Sequence, residues 1–191
     1  MRLPSWRYEE IKQKIARLLR KAGFSRYPLD CFELCEKLGI KVHCYSESPT
    51  WIQQLNCLSE DAFCFPKTED KYFVWEIWYN DSKPQNRIRF SIMHEIGHIW
   101  LDHSEHSDLA EVEANYFASY ILAPLPLIYV LKLDDINKIA VAFFISSECA
   151  GHIMEQYENW LNYGGRYYTD YEKQILSQIE FVGEQNLRTL K

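Results

Sequence analysis

Five residues constrain this chain more than any others. His94-Glu95-Ile96-Gly97-His98 sets two histidines at i and i+4. They fall in a stretch, Ser82 to about His103, where Ile88, Ile92, Ile96 and Ile99 recur at helical spacing and are expected to face the core. On a helix, both imidazoles then lie one turn apart on one face, within reach of a single ion. Glu95 sits about 100° round the helix from His94, beside such an ion and not on it.

Two histidines leave a metal site incomplete, since a catalytic zinc commonly has three protein ligands and one open position. The next helical segment, about 108–122, offers Glu111-Val112-Glu113-Ala114-Asn115. Glu111 and Asn115 share a face at i,i+4, whereas Glu113 points about 200° away from Glu111. By spacing alone either glutamate is open as the third ligand. Glu111 is also open as the end of an Asp108-x-x-Glu111 capping box that binds nothing. With Glu111 as ligand, Asn115 can orient a ligand histidine through its other ring nitrogen. The chemistry these residue types support is hydrolysis: a Lewis-acid Zn2+, with Glu95 as the general base that takes a proton from the attacking water and returns it to a leaving amine.

The remaining sequence bounds what such a site is built into. The chain has 191 residues, 47% hydrophobic and 25% charged, enough for one compact domain with a small appendage. Seven Gly and seven Pro are too few for a linker-rich chain. No apolar run approaches the roughly 18–20 residues of a membrane span, and the N-terminus lacks the apolar stretch of a secretory signal; a cytoplasmic protein is the expectation. Cys31, Cys35, Cys44, Cys57, Cys64 and Cys149 include no C-x-x-C pair and read as reduced thiols. The net charge of −6 is uneven: residues 1–26 carry eight Lys or Arg against two Glu, leaving −12 for the rest. The acidic remainder argues against broad nucleic-acid binding, and the basic first helix reads as a solvated face.

Periodicity predicts a helix over 9–22 with the stripe Ile11, Ile15, Leu18 and Leu19, ending at Gly23. A second helix over 29–38 closes at Gly39 and leads into a strand, Ile40 to Tyr45. Residues 51–79 read as short β segments, with Lys71–Tyr79 the best strand. Ser82-x-x-Gln85 reads as a capping box opening the histidine helix. Helices follow at about 134–143 and 147–161, and Gly164-Gly165 separates a terminal helix near 169–182. The expected fold is α+β: a small twisted sheet packed on the histidine helix and the second ligand-bearing helix, with a helical C-terminal part. Three segments are expected: a metallopeptidase domain over 1–125, a helix-turn-helix-like pair over 126–163, and a C-terminal helix and tail over 164–191. Residues 146–163 carry Glu148, Glu155 and Glu158 with no Lys or Arg, so the pair reads as packing or a docking surface, not a DNA reader.

Arg87-Ile88-Arg89-Phe90-Ser91-Ile92-Met93 leading into His94–His98, followed by EVEANYFASYILAP over 111–124, resembles the ImmA/IrrE family of metallopeptidases. That family's pattern is R-F-[TS]-x-x-H-E-[LI]-G-H, then E-x-x-A-N-x-F-A-x-x-[LI]-[LM]-x-P. Weaker similarity extends over roughly 25–160. The resemblance implies His94, His98 and Glu111 as ligands of one Zn2+, Glu95 as general base and Asn115 behind the ligands. It also implies cleavage of a specific intracellular protein, typically a helix-turn-helix repressor of phage, mobile-element or stress genes; from charge and hydropathy, no direct nucleic-acid or membrane contact is expected. Only 12 residues separate His98 from Glu111, so the two helices must turn back tightly. Tyr116, Tyr120 and His103 are open as transition-state stabilisers but read first as packing or surface, and His106 as an exposed loop residue. Two other classes compete: a regulatory protein that binds zinc without cutting, and a toxin or abortive-infection partner. Oligomeric state is open.

Overall fold

The computed structural model describes residues 2–69, 72–163, 167–178 and 180–181. In chain order the elements are α1 (Ser5–Lys21), β1 (Arg26–Tyr27), α2 (Cys31–Leu38), β2 (Lys41–Cys44), α3 (Ile52–Leu58), β3 (Ala62–Glu69), β4 (Tyr72–Tyr79), α4 (Gln85–Leu101), α5 (Asp108–Leu122), α6 (Leu125–Val130), α7 (Ile136–Phe143), α8 (Ser147–Tyr163), α9 (Asp170–Gln178) and β5 (Glu180–Phe181). The fold is α+β, as expected. The chain forms two compact units, one from Asp30 to Ala118 and one from Arg2–Leu29 with the described residues from Ser119 onward. Among the described residues no helix is long and apolar enough to cross a membrane.

The first unit is built on a three-stranded sheet ordered β2-β4-β3. β2 runs parallel to β4, and β3 returns antiparallel to it, from Ala62 opposite Tyr79 to Glu69 opposite Tyr72. β3 is therefore an edge strand. Strand alternation puts Cys64, Pro66, Trp75 and Ile77 on one face, and α4 packs against β3 and β4. Cys64 Sγ approaches the Glu95 carbonyl at 3.9 Å, so this face is the one that meets α4. Ile77, Ile88, Ile92 and Ile96 are buried, while Ile99 is only partly so. α2 begins where Asp30 Oδ1 accepts from Phe32 N and Glu33 N. It ends at Gly39, whose φ of 70° suits a residue without Cβ.

Three expectations change here. Residues 52–58 form a helix in place of a strand, and none of its side chains is buried. Ser82 does not cap α4: its hydroxyl is held at 2.6 Å by Asn80 Oδ1, and the helix starts after Pro84 with no side-chain cap. Asn80 is a better attractor because it is buried and also bonds Asn56 and the Glu60 carbonyl. α4 stops at Leu101, two residues early, because Asp102 enters the left-handed region at φ 62°.

In the second unit the predicted stripe Ile11, Ile15, Leu18 and Leu19 of α1 is fully buried. Gln174 Nε2 donates to the Ala16 carbonyl at 2.9 Å, and Tyr171 donates to Glu9, which ties α9 to α1. Tyr27 is buried, donating to the Ile121 carbonyl at 2.6 Å with its ring edge-on to Phe143. α7 and α8 pack on one another; the turn between them puts Phe144 at φ 52°. The terminal helix ends at Gln178, followed by a two-residue strand, β5, parallel to β1. Gly164-Gly165 and the residues after 181 lie outside the described residues. All six cysteines are free thiols.

One ion pair in the sheet supports a test of stability. Glu76 is buried on the face away from α4, where Lys67 Nζ donates to it at 2.8 Å across the β3–β4 pair. Burial raises the Glu76 carboxyl, but the bonds from Lys67 and Trp78 outweigh it and leave the group below its ordinary value. The unfolded chain returns it to about 4.3. The stabilisation is therefore complete above that pH and is lost as pH falls through the lower folded value. Lys67→Met is expected to cost about 1–3 kcal/mol at pH 7, since it strands a buried carboxylate. The half-exposed lysine places it toward the lower end. Urea unfolding of both proteins at pH 7 and in acid checks this: the gap should close in acid, and a constant gap would rule the pair out as its source.

Candidate metal centre

α4 and α5 bring the three expected donors together. His94 Nε2 lies 2.9 Å from His98 Nε2, and Glu111 places Oε2 3.3 Å from the first and Oε1 3.4 Å from the second. An ion held tetrahedrally at about 2.0–2.1 Å separates its nitrogen and oxygen ligands by about 3.3 Å. The two glutamate edges match this, and the imidazole pair is somewhat closer. The donor set of two imidazoles and a carboxylate fits a divalent metal.

Local features explain how 12 residues suffice for the return. Asp102 turns the chain sharply at the end of α4, and the His103 amide then donates to the His98 carbonyl at 3.0 Å. Ser107 Oγ accepts from Ala110 N at 3.1 Å, so Ser107 and not Asp108 caps α5. Glu111 is thereby left out of the cap. Gly97 sits where the helices meet: a Cβ there would lie 3.3 Å from Ala114 Cα and 3.2 Å from Phe117 Cδ1. A side chain there would push Ala114 or Phe117 of α5 back by a few tenths of an ångström.

Each histidine's other nitrogen is also occupied. Asn115 Oδ1 lies 3.0 Å from His94 Nδ1. An amide oxygen only accepts, so this contact places the His94 proton on Nδ1 and leaves a lone pair on Nε2, the nitrogen in the donor cluster. His98 Nδ1 faces His103 Nδ1 at 3.0 Å, and His103 Nε2 faces Glu113 Oε2 at 3.0 Å. Glu113 thus points away from the donor cluster and is buried against His103. Spacing put Glu113 on a different face from Glu111 but left either open as the third ligand, and His103 was expected as packing or surface. The missed signal is Asp102, a residue that tolerates left-handed backbone: it folds His103 back under the helix.

Burial pushes His98 well below the ordinary histidine value, helped by His94 beside it, which keeps the ring neutral and able to ligate. Burial also raises the Glu95 carboxyl, against the pull of Cys64 and His94. Both residues, with His94 and Glu111, line a cavity of about 580 Å³ whose other walls include Leu58, Phe63, Pro66 and Trp75. The site is thus a mixed cleft beside β3, apolar where Phe63, Pro66 and Trp75 line it and polar where His94, Glu95, His98 and Glu111 converge. Tyr120 is buried within the second unit, where Lys12 lies over its ring. The side chain of His106 is almost fully exposed, with Nδ1 3.7 Å from Glu111 Oε1.

A family model described as the IrrE N-terminal-like domain, Peptidase M78, matches residues 35–155. No curated protein and no solved structure matches the chain.

Proposed function

The chain belongs to the peptidase family of the IrrE N-terminal-like domain, and from that premise we propose that it is a zinc-dependent endopeptidase acting on a specific intracellular protein. The observation that carries this reading is the convergence of His94 Nε2, His98 Nε2 and the Glu111 carboxylate on one point in a cleft that Glu95 also lines. Zinc bound there would supply Lewis-acid polarisation of the scissile carbonyl and acidify water near neutral pH. The other steps fall to the chain's own residues. Asn115 holds His94 in its ligating tautomer. The edge of β3 can take an extended peptide as an added strand, with apolar side chains against Phe63 and Trp75. Glu95 takes the proton of the attacking water and passes it to the leaving amine. Its raised carboxyl suits both halves of that exchange. The substrate we assign on the strength of the family is a helix-turn-helix repressor.

About one zinc per chain is expected by elemental analysis of the purified protein. Incubation with a candidate repressor should give a single cut, abolished by 1,10-phenanthroline and restored by added zinc. Cutting that survives complete removal of zinc would sink the proposal.

A further inference from the structure

We propose that His103 and Glu113 are positioning residues for the metal centre, forming a hydrogen-bonded train that fixes which nitrogen of His98 keeps a lone pair for the ion. The inference rests on the metal-site reading above. It begins with the 3.0 Å contact between two Nδ1 atoms, those of His98 and His103. Neither two protonated nor two bare nitrogens can form that bond, so one proton lies between them. If His98 ligates through Nε2, its proton sits on Nδ1 and donates to His103. His103 must then accept at Nδ1 and carry its own proton on Nε2. That proton meets Glu113 Oε2 at 3.0 Å, and an ionised carboxylate only accepts. Glu113 therefore selects the tautomer of His103, and His103 selects that of His98.

Without Glu113 nothing on the train prevents the reverse arrangement. His103 could then hold its proton on Nδ1 and donate to His98. The His98 proton would move to Nε2, where the metal should be. Partial burial supports the selection: the side chains of His103 and Glu113 are 10% and 6% exposed, with Glu113 buried and His103 at the border of the cavity. The backbone is committed as well, since the left-handed Asp102 and the His103 N to His98 O bond set the ring beneath its partner. α5 thus serves the ion three times, with Glu111 on it, Asn115 behind His94, and Glu113 behind His98 through one intervening ring.

The test measures metal binding, not turnover. Zinc affinity is read by competition with a chromophoric chelator, and ligand geometry by the visible spectrum of the cobalt-substituted protein. Glu113→Leu and His103→Leu are expected to weaken zinc by about 10–100-fold, the usual loss when a ligand's supporting partner goes, and to alter the cobalt bands. Glu113→Gln can still accept from His103 through its amide oxygen but can also donate, so it should lose less than Glu113→Leu. If Glu113→Leu fails to fold, His103→Leu against His103→Gln gives the same comparison, because glutamine can accept from His98 and donate to Glu113. Wild-type affinity and spectrum in the leucine variants would overturn the train, as would equal losses in the glutamine and leucine variants. A wild-type protein that takes up no zinc would overturn the metal-site reading along with it. Tight wild-type binding that Glu113→Leu leaves untouched would overturn the train alone.

Discussion

Glu95→Gln is expected to lower peptide hydrolysis by about 10²–10⁴-fold, the range a positioned general base supplies, while zinc content stays at one per chain. The two readouts separate because Glu95 is not among the converging donors, which are His94, His98 and Glu111. Glutamine keeps the size and polarity of the buried side chain but cannot take a proton. The fold should therefore survive the change, and a thermal melt of the variant checks it. The comparison also decides between the two leading classes of function. A protein that binds its partner through a zinc-ordered surface and cuts nothing would show no change in partner binding and have no turnover to lose. Full activity in the variant would remove Glu95 from the mechanism and leave the cleft's chemistry unassigned.

The second large effect concerns the metal itself. Glu111→Ala is expected to weaken zinc by well over 10²-fold, more than loss of a residue behind a ligand costs, because it removes one of the three donors. The fold should tolerate it. The Glu111 side chain is 45% exposed, and Ser107 caps the helix without it. The zinc content of the variant after dialysis measures the effect. A variant that keeps its zinc would mean that Glu111 is not a ligand, and attention would pass to His106, whose Nδ1 lies 3.7 Å from Glu111 Oε1.

Much of the site was legible because its elements are local. His94 and His98 are one turn apart whatever surrounds them, and Glu111 and Asn115 share a face by the same arithmetic. The isoleucine stripe of α4 and the stripe of α1 were readable from periodicity for the same reason. Where the sequence misled, a competing partner from elsewhere in the chain had intervened. Ser82 has the form of a helix cap, but Asn80 takes its hydroxyl. Residues 52–58 look like strand, but among the described residues no strand pairs with them and the helix forms with no buried side chain.

The sequence alone determined the histidine pair, the face that Glu111 shares with Asn115 and the residue types that make hydrolysis the fitting chemistry, because helical geometry fixes neighbours three and four residues apart. It left Glu111 and Glu113 both open as the third donor. Only the tertiary structure decided how the two helices meet and what stands behind the ligands. The Gly97 contact with Ala114 and Phe117, the left-handed turn at Asp102 and the line from His98 through His103 to Glu113 join residues whose adjacency no periodicity encodes. Such contacts depend on where a chain reverses and how closely two backbones can approach, and both are settled by packing.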